Sequence, residues 1–294
     1  KSSEGCKEPE EWSWTAETWE GGAGDASLVS LVSDSDPKMR ALAADQLHSL
    51  YFGKHIPKRK RGYPANATLG AKIIEAFTTE QNEDAARALG RSMACINFHA
   101  TGLEDKAWAA FKSAKLAEAR VSFLEELGRQ YREEPAMVEK IEGTLGDADA
   151  KVRVAALDAL DTGDPDQGVC GFWQKNLANA DEKVSEKAVE LLARRKCAGV
   201  SKVLDVLEKK AKLSSYELEA VCEREDVEAK DKTRAANIAK TRANDGKADA
   251  WDRANALEAY MKCDADGGKK LAESWANGSD KDLQERAKSI LSGG

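Results

Sequence analysis

One phrase recurs along this 294-residue chain, and its recurrence restricts the fold more than any bulk property does. Leu31-Val-Ser-Asp-Ser-Asp36-Pro-Lys-Met-Arg40 runs into Ala41-Leu-Ala-Ala-Asp-Gln-Leu47. Leu145-Gly-Asp-Ala-Asp149-Ala-Lys-Val-Arg153 runs into Val154-Ala-Ala-Leu-Asp-Ala-Leu160, and Leu177-Ala-Asn-Ala-Asp181-Glu-Lys-Val-Ser185 into Glu186-Lys-Ala-Val-Glu-Leu-Leu192. Looser copies occupy Asp245 to Leu257 and Ala276 to Leu291. Each reads as a helix end, a polar turn and a second helix. An Asp at 36, 149, 181, 249 or 280 is placed to cap that helix, because its carboxylate can accept from the free amides of the first turn. Behind it, Val152, Ala155, Ala156, Ala159 and Leu160 keep the three- and four-residue spacing of one helical face. Adjacent copies are offset by 31 to 32 residues, the length of one helix-turn-helix unit.

The remaining residues agree with stacked amphipathic helices. Charged residues make up 33% of the chain and aromatics 6%, and no long Val/Ile/Thr alternation suggests strands. Prolines fall at segment edges, as in Asp36-Pro37, Glu134-Pro135 and Asp164-Pro165, where they open helices or turns. Such a length buries a substantial core. No apolar run approaches the roughly 18 residues that span a bilayer, and no N-terminal apolar leader is present.

The Asp-(Pro/Ala/Glu)-Lys-(Val/Met)-Arg phrase followed by Ala-Ala-x-x-Leu resembles the second helix of a HEAT repeat, best at Asp36 to Leu47 and Asp149 to Leu160. Ser185 replaces the Arg in the third copy. Residues 66–135 are less typical: Ala107-x-x-x-Phe111-x-x-Ala114, with Phe98 upstream, is similar to a tetratricopeptide unit, although Cys95 stands where that family has glycine. Either resemblance implies an all-α, right-handed α-solenoid of antiparallel helix pairs, armadillo-like in architecture, that offers a face for docking. The expected organisation is one solenoid domain over 1–294. It has an N-terminal cap or tail at 1–24, a first repeat with a basic loop at 25–65, atypical repeats at 66–135 and HEAT-like repeats at 136–294. HEAT-like proteins are mostly scaffolds and adaptors, with a few lyases and glycosylases among them, so fold alone leaves function open.

Six cysteines add a local signal. Aligning the stripes puts Leu89, Leu191 and Leu257 in register, and Cys95, Cys197 and Cys263 each follow six residues later. Pairing each with a cysteine on an adjacent helix suggests Cys170–Cys197, then Cys222–Cys263 and Cys6–Cys95, though spacing alone leaves the connectivity open. Such bridges imply an oxidising compartment, a periplasm or cell surface, and the expected setting is the envelope of a bacterium, with tethering near the N-terminus by a lipid anchor removed along with a missing leader. The alternative is a cytoplasmic protein whose cysteines are small buried hydrophobes. Cys95-x-x-x-His99 could present two metal ligands on one helical face, but His48, His55 and His99 are the only histidines and no paired Cys-x-x-Cys exists, so neither a metal nor a cofactor is expected.

Net charge is −7, which repels nucleic acid and anionic membranes overall. The exception is a Pro- and Gly-punctuated loop carrying Lys54, Lys58, Arg59, Lys60, Arg61 and Tyr63, between a helix ending near Phe52 and another beginning near Leu69. It suits an acidic protein partner, a lipid head group or a polyanion, or is simply a solvated loop. It lacks the interleaved aromatics of a specific nucleic-acid site. Trp12, Trp14 and Trp19 read as an end cap, and Trp108, Trp173, Trp251 and Trp275 as core. Glu125-Glu126 and Glu133-Glu134 read as solvated pairs, and no hydrolase, nucleotide-binding or metalloprotease motif is present. The expectation is a non-catalytic scaffold for another protein, oligomeric state open. The alternative is an α-solenoid enzyme with a carboxylate of raised pKa in its groove.

Overall fold

The structure is a computed structural model that describes residues 23–52, 67–131, 134–161, 167–210 and 215–292. The described residues are all-α, and they fall into two compact units, Lys1–Ala159 and Leu160–Gly294. Among the described residues each unit holds four helix pairs.

In the first unit the pairs are α1 (Ala23–Leu31) with α2 (Pro37–Phe52), α3 (Ala67–Thr79) with α4 (Glu83–Ala94), α6 (Glu104–Ser113) with α7 (Ala117–Tyr131), and α8 (Pro135–Gly143) with α9 (Ala150–Ala159). One short turn of helix, α5 (Phe98–Thr101), separates the second pair from the third. Connections of a few residues turn each second helix back along the first. The second helices then pack in series, α2 on α4, α4 on α7 and α7 on α9. The described part of residues 66–135 thus holds two further pairs of the same kind.

Two glycines set how closely that series packs. A Cβ on Gly90 would run into the backbone at Ala119 and Phe123, and one on Gly128 into the Ala159 carbonyl. Both helix crossings therefore need a residue without a side chain. Beside them Trp108, Phe111 and Phe123 form an aromatic cluster with centroids 5.3 to 5.7 Å apart, and Phe77 joins Phe123 at 6.2 Å. Rings at these separations add specific contact energy to their area burial.

The second unit pairs α10 (Gln167–Asn176) with α11 (Glu182–Arg194), α12 (Val200–Lys209) with α13 (Tyr216–Glu223), α14 (Ala229–Ala243) with α15 (Ala250–Cys263), and α16 (Ala265–Ala276) with α17 (Lys281–Ser292). Again the second helices follow one another, α11, α13, α15 and α17. Trp173 and Trp275 are buried as expected, but Trp251 is 56% exposed. It lies on the outward side of α15 and takes the Arg286 guanidinium over its ring at 4.6 Å, a contact that sequence spacing does not distinguish from core packing.

The Asp caps are where the repeat grammar places them. Asp36, Asp149 and Asp181 each accept from the amide two residues on, at 2.8 to 2.9 Å, Asp249 accepts from Asp252 at 2.8 Å, and Asp280 from Asp282 at 3.1 Å. A second acceptor two residues upstream fixes the turn itself: Asp34, Asp147 and Asn179 accept from the amides of Asp36, Asp149 and Asp181. The Arg of the phrase closes the device. Arg40 donates to the carbonyls of Asp34 and Ser35, and Arg153, at the same register, to those of Asp147 and Ala148. Where Ser185 replaces Arg, its hydroxyl donates at 2.7 Å to the carbonyl of Leu177, at the end of the preceding helix, rather than to the turn carbonyls that the arginines reach.

Candidate functional site

Three described chemistry-bearing side chains converge at one place in the first unit. His48 is carried late on α2, Cys95 caps the C-terminal end of α4, and Glu126 lies on α7. The series of second helices therefore brings three residues from three repeats together, and their ligand atoms lie within 4.8 Å of one another. His48 Nε2 is 3.2 Å from Glu126 Oε2, and Arg129, one turn further along α7, reaches the same oxygen at 3.3 Å. Ser92 fastens α4 to α2 beside them, its hydroxyl donating to the Ala44 carbonyl at 2.5 Å.

Burial decides what this cluster can do. Cys95 is fully buried and Glu126 is 1% exposed on its side chain. Burial, reinforced by the Glu126 carboxylate, pushes the Cys95 thiol well above its ordinary value. A protonated, enclosed thiol is neither a nucleophile nor open to a substrate, so a cysteine–histidine catalytic reading does not fit. Nitrogen, sulfur and oxygen donors side by side are a set that could hold a metal ion, which would displace the thiol proton.

Two expectations from the sequence change here. Glu126 is not a solvated member of a Glu-Glu pair but a buried carboxylate held between a histidine and an arginine. The Cys95-x-x-x-His99 face does not exist, because α4 ends at Ala94 and a new helix starts at Phe98. His99 pairs instead with Glu134 at 2.9 Å. Nothing local in sequence marks His48 and Glu126. The usable signal is that both lie, like Cys95, toward the ends of consecutive second helices.

The cysteine register is realised in the second unit. Cys170 on α10 is bonded to Cys197 just beyond α11, with Cα atoms 5.5 Å apart, and Cys222 on α13 to Cys263 at the end of α15, with Cα atoms 5.0 Å apart. The first bridge lies within a pair and the second joins neighbouring pairs. Cys6, the suggested partner of Cys95, is outside the described residues. Around Cys197 the end of α11 is held by Arg224, which is buried, donates to the Leu192 and Cys197 carbonyls at 2.7 and 3.0 Å, and pairs with Asp226 at 2.6 Å.

Two surface grooves accompany these features. One of about 580 Å³ in the first unit has Trp108 and Phe111 in its wall with Lys112, Lys140 and Asp147 around them. The other, about 760 Å³ in the second unit, is polar, with Arg234, Asn237, Lys240 and Thr241. Glu125 has a raised pKa, first through partial burial and then through Asp158, yet much of its side chain reaches solvent and it lines neither groove. The basic loop with Lys54, Lys58, Arg59, Lys60, Arg61 and Tyr63, the tryptophans at 12, 14 and 19 and Glu133 lie outside the described residues.

No protein-family profile and no curated protein matches the chain. Among solved structures it is similar to an engineered protein from the Northeast Structural Genomics Consortium, at 15% identity and a TM-score of 0.42 over 90% of this chain and 76% of the other. It is also similar to a designed armadillo repeat protein, at 14% identity and a TM-score of 0.25 over 90% of this chain and 98% of the other. At these scores neither likeness carries an argument, and the helical-repeat assignment rests on the pairing and capping described above.

Proposed function

We propose that this chain is a non-catalytic, protein-binding scaffold of HEAT-like repeats that works outside the cytoplasm, in a periplasm or at a cell surface. The HEAT-like reading is supported by the Asp cap and Arg return that α2 and α9 share residue for residue. The compartment is supported by the two bridges of the second unit, since disulfides persist where thiols are not kept reduced.

The observation that carries the binding half is the surface of α2. Leu42 is 54% exposed and Met39 is also exposed, on the helix that runs into the basic sequence Lys58-Arg59-Lys60-Arg61. Exposed apolar side chains on a helix that is followed in sequence by concentrated positive charge suit a partner that offers an apolar contact within an acidic surround. Photo-crosslinking in the native cell tests this, with the crosslinker at position 42 and, as control, at position 285 on α17. Position 42 is expected to capture a discrete protein adduct that disappears when Lys58 through Arg61 are changed to Glu. Equal adducts at both positions, or none at 42, would overturn the reading.

A further inference from the structure

We propose that His48, Cys95 and Glu126 form a binding site for one Zn²⁺ ion that ties α2, α4 and α7 together. The inference is independent of the scaffold reading and concerns only the first unit. Its ground is geometric: three donors of three kinds, from three successive repeats, have their ligand atoms within 4.8 Å of one another.

The donor set selects the ion. An imidazole nitrogen, a thiolate sulfur and a carboxylate oxygen together suit Zn²⁺, whereas Mg²⁺ and Ca²⁺ are held by oxygens. Bonds of Zn²⁺ to such donors place tetrahedral ligand atoms roughly 3.3–3.8 Å apart. His48 Nε2 and Glu126 Oε2 already stand 3.2 Å apart, and the widest separation closes by at most about 1.5 Å, within the reach of small χ rotations on fixed helices. Three protein ligands leave a fourth position for water.

Charge favours the same answer. The thiol proton leaves to solvent as sulfur takes the metal, and Zn²⁺ with one thiolate and one carboxylate carries no net charge. A buried site tolerates that better than an isolated ion. Arg129, which holds Glu126 Oε2 at 3.3 Å while its own side chain is largely in solvent, would fix the carboxylate's orientation without being a ligand. The benefit to the protein is mechanical, because the ion would cross-link the second helices of three successive repeats.

The test is titration of the full chain with Co²⁺, after chelator treatment, without reductant and under anaerobic conditions. One equivalent is expected to give a sulfur-to-cobalt charge-transfer band and strong visible bands, both bleached by Zn²⁺. Cys95→Ser should remove the charge-transfer band, and His48→Gln and Glu126→Gln should each weaken binding by roughly 100-fold or more. Arg129→Gln should weaken it by roughly 10-fold and leave the spectrum intact. Zn²⁺ should raise the melting temperature of the wild-type chain and not that of the Cys95→Ser variant. The proposal fails if wild-type protein gives no charge-transfer band, if the band survives in Cys95→Ser, or if the isolated protein has Cys95 in a disulfide with Cys6.

Discussion

Arg40 and Glu80 come from neighbouring repeats and meet in a two-pronged pair at 2.7 and 2.8 Å. Burial of Glu80 works to raise its carboxyl, but the Arg40 guanidinium and the amides of Asn82 and Gln81 more than offset it and hold the group below the usual glutamate range. A depressed folded-state value contributes stability above the unfolded glutamate value of about 4.3, and that contribution is lost as pH falls through the folded value. Glu80→Gln should therefore cost about 2–3 kcal/mol near neutral pH, since it strands a partly buried guanidinium. It should also flatten the acid limb of stability, measured by urea unfolding between pH 7 and pH 3. Cys95 is the opposite case. Its raised thiol and complete burial predict no alkylation by iodoacetamide in native protein and full alkylation in urea, read by mass spectrometry.

Among the helices, close approach and capping do separate work. Gly128→Ala forces a methyl into the Ala159 backbone, which cannot yield as a flexible side chain could, and should cost about 1–3 kcal/mol. Asp149→Ala removes one cap bond at an exposed helix start and should cost about 1 kcal/mol, with the pair otherwise intact. Chemical denaturation of the two variants distinguishes these magnitudes, and an equal loss from both would mean that the α7–α9 crossing relaxes more than its geometry allows. Arg224 is a third device, a buried cation spent on helix-end carbonyls, and it occupies the place where the first disulfide closes.

At the largest scale, the covalent reinforcement seen among the described residues lies in the second unit. Both bridges described lie in the second unit, and each closes a loop long enough to contribute about 3–4 kcal/mol. Reduction should accordingly accelerate hydrogen exchange across residues 167–263 more than across 67–131. Uniform acceleration would show that the bridges do not stabilise the second unit in particular. Intact mass before and after reduction and alkylation measures the bridges directly.

What is legible in the amino-acid order follows from the range of each interaction. The caps at Asp36, Asp149, Asp181, Asp249 and Asp280 are local, since a carboxylate and an amide two or three residues on need only the turn between them. Residue order alone is enough to place them and the helices they start. The register of Cys95, Cys197 and Cys263 is legible for the same reason, as repeats of similar length bring the same position to the same helix end. The pairs α3/α4, α6/α7 and α12/α13 escape the motif because Asn82, Leu116 and Ser215 precede their second helices where it has Asp. Exposure of Trp251, burial of Glu126 and the meeting of His48, Cys95 and Glu126 depend on which face of one helix meets the next. Packing among distant segments makes that choice, through contacts such as Gly90 against Ala119 and Gly128 against Ala159, and it is fixed only once the helices are assembled in three dimensions.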